Sequence, residues 1–341
     1  MIENYQCKSI IKLNGEVTTI LLLKNKKDIA ICLTNGFIQI YNIKLIKPKL
    51  SIELIKTEQK TILDIIEFQD NKLILSCWDN TIKYIELYDN NNKYTIKQIL
   101  NGHLNFVNSL RKLIFYKNNI IIASSSTDGL IIFWKYENDN FQKFKEIKIF
   151  ENENDDQNEL HFNNQIESME ESVKYQELIC GNFHQGKLCF CNFNDNSQID
   201  KKDLNVNNCI RSLKIIKNGD ILVIAGFKEI NLINLENKSI WNTIKYDIDC
   251  QFNCIFQKQN GNLIITEYGD VIKINEFKFD EDSSNLNILS IRENDFISYI
   301  TTIIELDNGE LVLGSYDSSA KFFEDISKFK NLIKQLIKFK K

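Results

Sequence analysis

The sequence lacks the features that mark membrane proteins and nucleic-acid-binding proteins. No segment reaches the roughly 18 uninterrupted apolar residues of a membrane-spanning helix. The first residues, MIENYQCKSIIKLNG, lack the long apolar core of a signal peptide. Positive charge is not in excess either, since the formal net charge is -4. We therefore expect a cytoplasmic or nuclear chain that does not bind nucleic acid.

Residues that carry out catalysis or bind metals are also scarce. The chain has three histidines, His103, His161 and His184, and no nucleotide-binding, serine-hydrolase or zinc-protease motif. Its nine cysteines lie mostly in apolar, strand-like runs without the regular spacing of a disulfide framework. Cys189 and Cys191 share one face of a strand, but no second pair or nearby histidine completes a zinc site. We expect a non-enzymatic chain with reduced, buried thiols and no metal or cofactor.

What the chain does contain is a repeated unit. Seven times, an apolar strand leads through a polar turn to a second strand, a tight turn and a third strand. The strands are rich in β-branched and aromatic residues that alternate with polar ones, which is typical of sheets. The tight turns align on Asn35, Asp79, Asp128, Gln185, Phe227, Tyr268 and Asp317.

The first strand of each unit can be placed from the same alternation. These strands are predicted at Val17–Leu23, Ile62–Phe68, Phe106–Arg111, Ile166–Val173, Cys209–Lys214, Phe252–Gln257 and Tyr299–Glu305. A fourth strand follows most units, but none follows the last. Gln6–Ile11 forms a strand-like segment before the first unit, so we expect the N-terminal strand to complete the seventh sheet. Such closure removes the open edges of isolated sheets.

The third unit carries a fuller motif than the others. It contains Gly102-His103, a serine at 124 or 126, Asp128-Gly129 and Trp134. In this pattern the chain resembles the WD40-repeat β-propellers over roughly residues 6–325. The resemblance implies a hydrogen-bonded network of His103, Asp128, Ser124 or Ser126, and Trp134 that holds one blade together.

The resemblance implies an all-β fold, a seven-bladed propeller formed by residues 1–325, with six or eight blades as alternatives. Most blades lack the motif. Other residues stand where the tryptophan is expected: Tyr41, Ile85, Cys191, Ile233, Ile274 and Phe323. The prediction therefore depends on periodicity in six blades and on the motif in one.

Two segments fall outside the repeats. An acidic insertion at about residues 151–165 is interpreted as a solvated loop between blades or as a docking loop for a basic partner. Residues 326–341 contain six lysines and no acidic residue. Apolar residues lie there at helical spacing: Ile326, Phe329, Leu332, Ile333, Leu336 and Ile337. This predicts an amphipathic helix that packs on the propeller, docks in a partner's groove or lies on an anionic membrane.

Partner binding is expected on the propeller face where the turns between second and third strands lie. Trp78, His184 and Tyr316 stand just before such turns, and Arg211 lies early in a first strand. With Phe329 of the tail, they are the candidate contacts. We expect a non-catalytic scaffold that binds proteins or peptides as a subunit of a larger complex. The alternative is a membrane-surface adaptor that uses the lysine-rich tail; an RNA-binding propeller is disfavoured by the acidic balance.

Overall fold

The computed structural model describes residues 5–325 except 55–59, 89–92, 115, 117–118, 151–163, 194–198, 207–208, 217–218, 247–248, 270, 281–284 and 294. Over these residues, 28 strands form seven four-stranded antiparallel sheets. The first strand of each sheet contacts the first strand of the next, and the seventh contacts the first, so the sheets form a closed ring. The predicted seven-bladed propeller is confirmed. The expected tail helix and most of the acidic insertion lie outside the described residues.

The strands follow one another in blade order along the chain. The N-terminal strand and blades one to three comprise β1 (Tyr5–Lys12), β2 (Val17–Leu22), β3 (Asp28–Leu33), β4 (Phe37–Asn42), β5 (Lys47–Glu53), β6 (Ile62–Gln69), β7 (Lys72–Cys77), β8 (Ile82–Tyr88), β9 (Lys93–Leu100), β10 (Val107–Leu113), β11 (Ile120–Ser126), β12 (Leu130–Glu137) and β13 (Asn140–Lys148). Blades four to seven comprise β14 (Ile166–Ser172), β15 (Glu177–Asn182), β16 (Lys187–Phe193), β17 (Ile199–Asn205), β18 (Ser212–Ile216), β19 (Ile221–Ala225), β20 (Glu229–Asn234), β21 (Ser239–Lys245), β22 (Gln251–Gln257), β23 (Leu263–Tyr268), β24 (Lys273–Asp280), β25 (Asn285–Glu293), β26 (Ile300–Glu305), β27 (Leu311–Ser315) and β28 (Ser319–Asp325).

The N-terminal strand closes the ring, as predicted. β1 pairs antiparallel with β28, from Tyr5 opposite Asp325 to Lys12 opposite Ser319. Blade seven therefore combines three strands from one end of the described chain with one from the other. The pairing covers the edge of β28 that would otherwise expose unpaired backbone groups.

The hydrophobic core lies between the blades. The buried apolar residues of the described chain form seven clusters, one at each junction of neighbouring blades. Each second strand is buried over most of its length, because both of its faces lie against a neighbouring sheet. This explains why these strands appear in the sequence as continuous apolar runs.

The tight turns between second and third strands share one backbone conformation. In six blades a residue of the turn has a positive φ: Gly36, Asn80, Gly129, Gly186, Lys228 and Ser318. Glycine adopts this conformation without steric cost, which explains the Asp-Gly pair at Asp128-Gly129. Asparagine, lysine and serine adopt it elsewhere, so the repeats lose their glycine without losing the turn.

Candidate functional site

The network in blade three links four of the residues that the motif predicts. The Trp134 indole donates to Ser124 Oγ at 2.9 Å, and His103 Nε2 lies 2.8 Å from the same oxygen. His103 Nδ1 lies 3.0 Å from Asp128 Oδ2. Because a carboxylate only accepts, His103 donates its Nδ1–H to Asp128. The chain of bonds joins the tight turn at Asp128 to the second and third strands of the blade.

Ser126, the second serine considered for this network, has another role. Its hydroxyl donates to the Asn105 carbonyl and accepts from the Asp128 N–H, both at 3.1 Å, so it supports the turn. Burial by itself would raise the pKa of Asp128. Hydrogen bonds from His103 and from the N–H groups of Leu104 and Leu130 outweigh it and hold that pKa below its usual value.

Two other blades keep the turn aspartate but partner it with a lysine. In blade two, Lys83 Nζ lies 2.5 Å from Asp79. In blade seven, Lys321 Nζ lies 3.5 Å from Asp317 and 4.1 Å from the centre of the Phe296 ring. Each lysine stands four residues after its aspartate, on the third strand. A buried cation from the same hairpin thus takes the place of the histidine.

The first strands surround a central channel, and each blade places at least one side chain in its wall. In six blades the register shifts by one residue near the start of the first strand, which is a β-bulge. The bulged residues line the channel, together with Arg211 of blade five. This bulge ring consists of Thr18, Leu63, Asn108, Glu167, Arg211, Asn253 and Thr301. Bulges of this kind redirect a side chain at functional sites.

The bulge ring also ties neighbouring blades together. Thr18 Oγ1 donates to the Ile62 carbonyl at 2.5 Å, which joins blades one and two. Thr301 Oγ1 donates to the Val17 carbonyl at 2.8 Å across the junction of blades seven and one. Asn108 Nδ2 makes the corresponding bond to blade four. Thr18, Asn108 and Thr301 thus connect neighbouring blades within the channel wall.

The channel opens on the upper face, defined here as the face where the first strands begin. The backbone N–H groups of Trp78 and Tyr316, just before their turns, bond to the carbonyls of Thr61 and Tyr299 at those strand starts. The opening forms a cavity of about 480 Å³ lined by the bulge ring and, from blade seven, by Tyr299 and Tyr316. We call this cavity the channel mouth.

Charged groups in the channel mouth are of two kinds. Burial raises the pKa of Asp64, although the charge of Arg111 and a hydrogen bond from the Leu110 N–H partly offset this increase. Arg111 Nη1 lies 3.5 Å from that carboxylate, so the charge is compensated within the chain. Burial likewise raises the pKa of Glu167, against a 2.6 Å hydrogen bond from Gln165 and the charge of Arg211. Glu167 and Arg211 are neighbours in the ring, in blades four and five.

Aromatic residues stack across three blade junctions on the upper face. Trp78 lies on Phe106 with ring centroids 4.8 Å apart, and Tyr268 lies on Tyr299 at 3.8 Å. At the junction of blades four and five, the Arg211 guanidinium lies 4.8 Å from the centre of the Phe183 ring. In each pair a residue before or in the turn of one blade packs on the start of the next first strand. The turn position of Tyr268 therefore serves packing between blades.

The predicted partner contacts occupy different places on the structure. Arg211 and Tyr316 line the channel mouth, whereas Trp78 lies outside its lining, with 39% of its surface exposed. His184 is exposed, but it is not equivalent to Trp78. Phe183 takes that position, donating its backbone N–H to the Gln165 carbonyl, because the turn of blade four is one residue longer. The tail contact Phe329 lies outside the described residues.

The cysteines and acidic residues form no metal centre in the part of the chain that the structure describes. Cys189 and Cys191 share one face of β16, with their sulfur atoms 3.7 Å apart in the core between blades three and four. A hydrogen bond with Cys191 and burial raise the pKa of Cys189 far above its usual value, which keeps a thiol protonated and poor at binding metal. Within the described residues, no helix is long and apolar enough to span a membrane.

A closed ring of seven sheets, a His-Ser-Trp-Asp network in one blade and a polar channel mouth define a β-propeller of the WD40 type. Residues 94–135 match the family model "WD domain, G-beta repeat", and this match runs from the outer strand of blade two through the third strand of blade three. The prediction of a WD40-type propeller is confirmed. WD40 propellers generally act as non-catalytic scaffolds for protein–protein interactions.

Comparison with solved structures supports the same fold. The crystal structure of the WD40 β-propeller domain of Doa1 is similar over 96% of this chain and 99% of that chain. The TM-score is 0.70 and the sequence identity 13%, so the likeness concerns the fold. A search of curated proteins found no match.

The bulge ring was missed from the sequence, although a signal for it exists. At or near the start of each first strand, a buried apolar residue is followed by the ring residue and then by a residue with a small or short polar side chain. The seven triplets are Val17-Thr18-Thr19, Ile62-Leu63-Asp64, Val107-Asn108-Ser109, Ile166-Glu167-Ser168, Ile210-Arg211-Ser212, Phe252-Asn253-Cys254 and Ile300-Thr301-Thr302. The middle position varies in charge and size, as expected for residues that face an open channel instead of a core.

Proposed function

We propose that this chain is a scaffold that binds protein or peptide segments at the channel mouth, as a subunit of a larger complex. The observation that carries the proposal is the bulge ring, which places seven side chains from seven blades around one opening. A cavity of about 480 Å³ accommodates a few side chains of an extended segment, not a folded domain. Contacts from the surrounding upper face would supply the remaining area.

Exposed apolar and aromatic groups on the upper face favour a protein partner. Leu104 and Ile297 are 81% and 87% exposed, and the backbone N–H of each bonds to the turn aspartate of its blade. They hold equivalent positions in blades three and seven. Trp78 and Tyr316 add partly exposed aromatic rings on the same face. Aromatic and large apolar anchors around a polar pocket are typical of energetically important interface residues.

The test is affinity capture with mass spectrometry from the native cell. A Trp78→Ala/Tyr316→Ala variant is compared with wild type and with a Trp241→Ala/Tyr94→Ala control. The control removes the same residue types at matched exposure, 39% and 36% against 39% and 37%, but from outer strands. We expect the upper-face variant to lose a specific set of proteins that the control retains, with both variants folded by circular dichroism. Equal recovery by both would contradict the proposal.

The lysine-rich segment 326–341 is tested separately. A chain that ends at Asp325 is compared with wild type in the same capture experiment and in sedimentation with anionic vesicles. We propose that partner binding at the upper face does not require this segment. Loss of the same partner set on truncation, with the upper face intact, would place the interaction in the tail instead.

A further inference from the structure

Arg211 lies at the edge of the channel mouth, against an aromatic ring of the neighbouring blade. The chain contains only three arginines among many lysines. This one lies directly before β18, in the bulge ring, with its guanidinium against the Phe183 ring of the neighbouring blade. A planar guanidinium that stacks on an aromatic ring keeps its terminal N–H groups in one plane, ready for a planar acceptor.

Within the described residues, the guanidinium of Arg211 has no carboxylate oxygen within ion-pair distance. Its Nε is closed off from solvent and has no hydrogen-bond partner there. Arg111, which lies next to Asp64 of the cavity lining, differs from Arg211 in its partners. It lies near Asp64 and Glu170 and donates to the Leu110 carbonyl at 2.7 Å. Arg111 is thus paired with groups of the fold, whereas Arg211 faces the cavity.

We propose that Arg211 binds the carboxylate of an aspartate or glutamate in the segment that enters the channel mouth. This inference rests on the proposed function and names the chemistry of its ligand. Two parallel N–H···O bonds from a guanidinium to a carboxylate are stronger than neutral hydrogen bonds and set the direction of the bound group. The Asn253 Oδ1, buried without a hydrogen-bond partner among the described residues, can accept a backbone N–H of the same segment.

A carboxylate suits this place better than a phosphate. Arg211 is the one cationic side chain in the described lining, and Glu167 stands beside it in the ring. A phosphate carries close to two negative charges, so a single arginine compensates it poorly and Glu167 repels it more strongly. A carboxylate carries one charge, which one guanidinium balances.

The test uses an array of seven-residue peptides with a fixed central residue and mixed flanking positions. The centre is Glu, Asp, phosphoserine, Lys or Ala, and the full chain is the binding protein. We expect the Glu and Asp peptides to retain the chain about tenfold better than the Ala peptides, as for one charge-assisted hydrogen-bonded pair. Arg211→Gln abolishes this preference, Arg211→Lys keeps part of it, and Trp241→Ala leaves it unchanged.

Other outcomes overturn the inference in distinguishable ways. Strongest retention by phosphoserine identifies a phosphate site, and strongest retention by Lys assigns the recognition to Glu167. Equal retention by all five centres removes the role of Arg211 but leaves peptide binding at the channel mouth intact. Binding to no peptide at all, by a chain shown to be folded by circular dichroism, overturns the proposed function together with the inference.

Discussion

Replacement of Ser124 by alanine tests whether the network in blade three stabilises the propeller. Ser124 is completely buried. Its hydroxyl accepts a hydrogen bond from the Trp134 indole, forms another with His103 Nε2 and lies within hydrogen-bond distance of the Ile132 carbonyl. The substitution removes one small group and creates almost no cavity. It leaves the indole N–H and the imidazole Nε2 without partners in the core.

The cost follows from the number of polar groups left unpaired. Each buried, unsatisfied donor or acceptor costs about 1–3 kcal/mol, so two of them predict a loss of about 2–6 kcal/mol. Ser125→Ala is the matched control, because Ser125 is equally buried but makes a single 3.3 Å hydrogen bond, to the Ile166 carbonyl. Its loss should cost about 1 kcal/mol.

The free energy of unfolding is measured by urea denaturation, followed by circular dichroism. Trp134→Phe completes a double-mutant cycle with Ser124→Ala. We expect the two substitutions to be coupled by about 1 kcal/mol, because the indole N–H that Ser124→Ala orphans is already absent in the phenylalanine variant. The reasoning is refuted if Ser124→Ala costs no more than Ser125→Ala, or if the two effects simply add.

Three further predictions concern the turns. Ser318→Gly should stabilise the chain by up to about 1 kcal/mol in urea denaturation, because Ser318 has a φ of 58° that glycine adopts without strain; a lower midpoint would contradict this. Lys321→Met should cost about 2 kcal/mol by the same assay, because Asp317 keeps a buried charge without its cation, and Lys321→Arg should recover most of the loss. Asp128 has a lowered pKa in the fold, so its carboxylate stabilises the fold above the ordinary pKa of about 4 and loses this effect as the pH falls through the lowered value. The stability gap between wild type and Asp128→Asn should therefore shrink in acid, and a gap that does not change with pH would refute this assignment.

The sequence was sufficient for the fold because its signals repeat. Alternation of apolar and polar residues marks each strand, and the tight turns recur at comparable spacing, so an error in one blade is corrected by the others. The closing strand was predictable because one sheet lacked a fourth strand at its C-terminal end and Gln6–Ile11 supplied one. These features depend on local preferences and on counting, which need no knowledge of side-chain contacts.

The site was less predictable, for two physical reasons. The role of Arg211 depends on Phe183 in another blade and on the lack, among the described residues, of a carboxylate within ion-pair distance. Neither feature is encoded in the residues adjacent to Arg211. The turn of blade four contains one extra residue, so a sequence alignment on Gln185 assigned to His184 the position that Phe183 occupies. The lysines that pair with Asp79 and Asp317 were also missed. An aspartate at this turn position can pair with a histidine or with a lysine, so the aspartate alone does not predict its partner.

The pairing of β1 with β28 constrains the order in which the strands can pair while the chain is being synthesised. β1 leaves the ribosome before β28 and has no strand partner until β28 is made, since Tyr5 lies opposite Asp325. Until then, six blades can assemble while the first strand of blade one lacks its neighbour in blade seven. A strand that waits with unpaired backbone groups is open to wrong partners, including a second nascent chain. Lys8 and the other exposed polar residues of β1 make this strand hydrophilic on one face before it pairs.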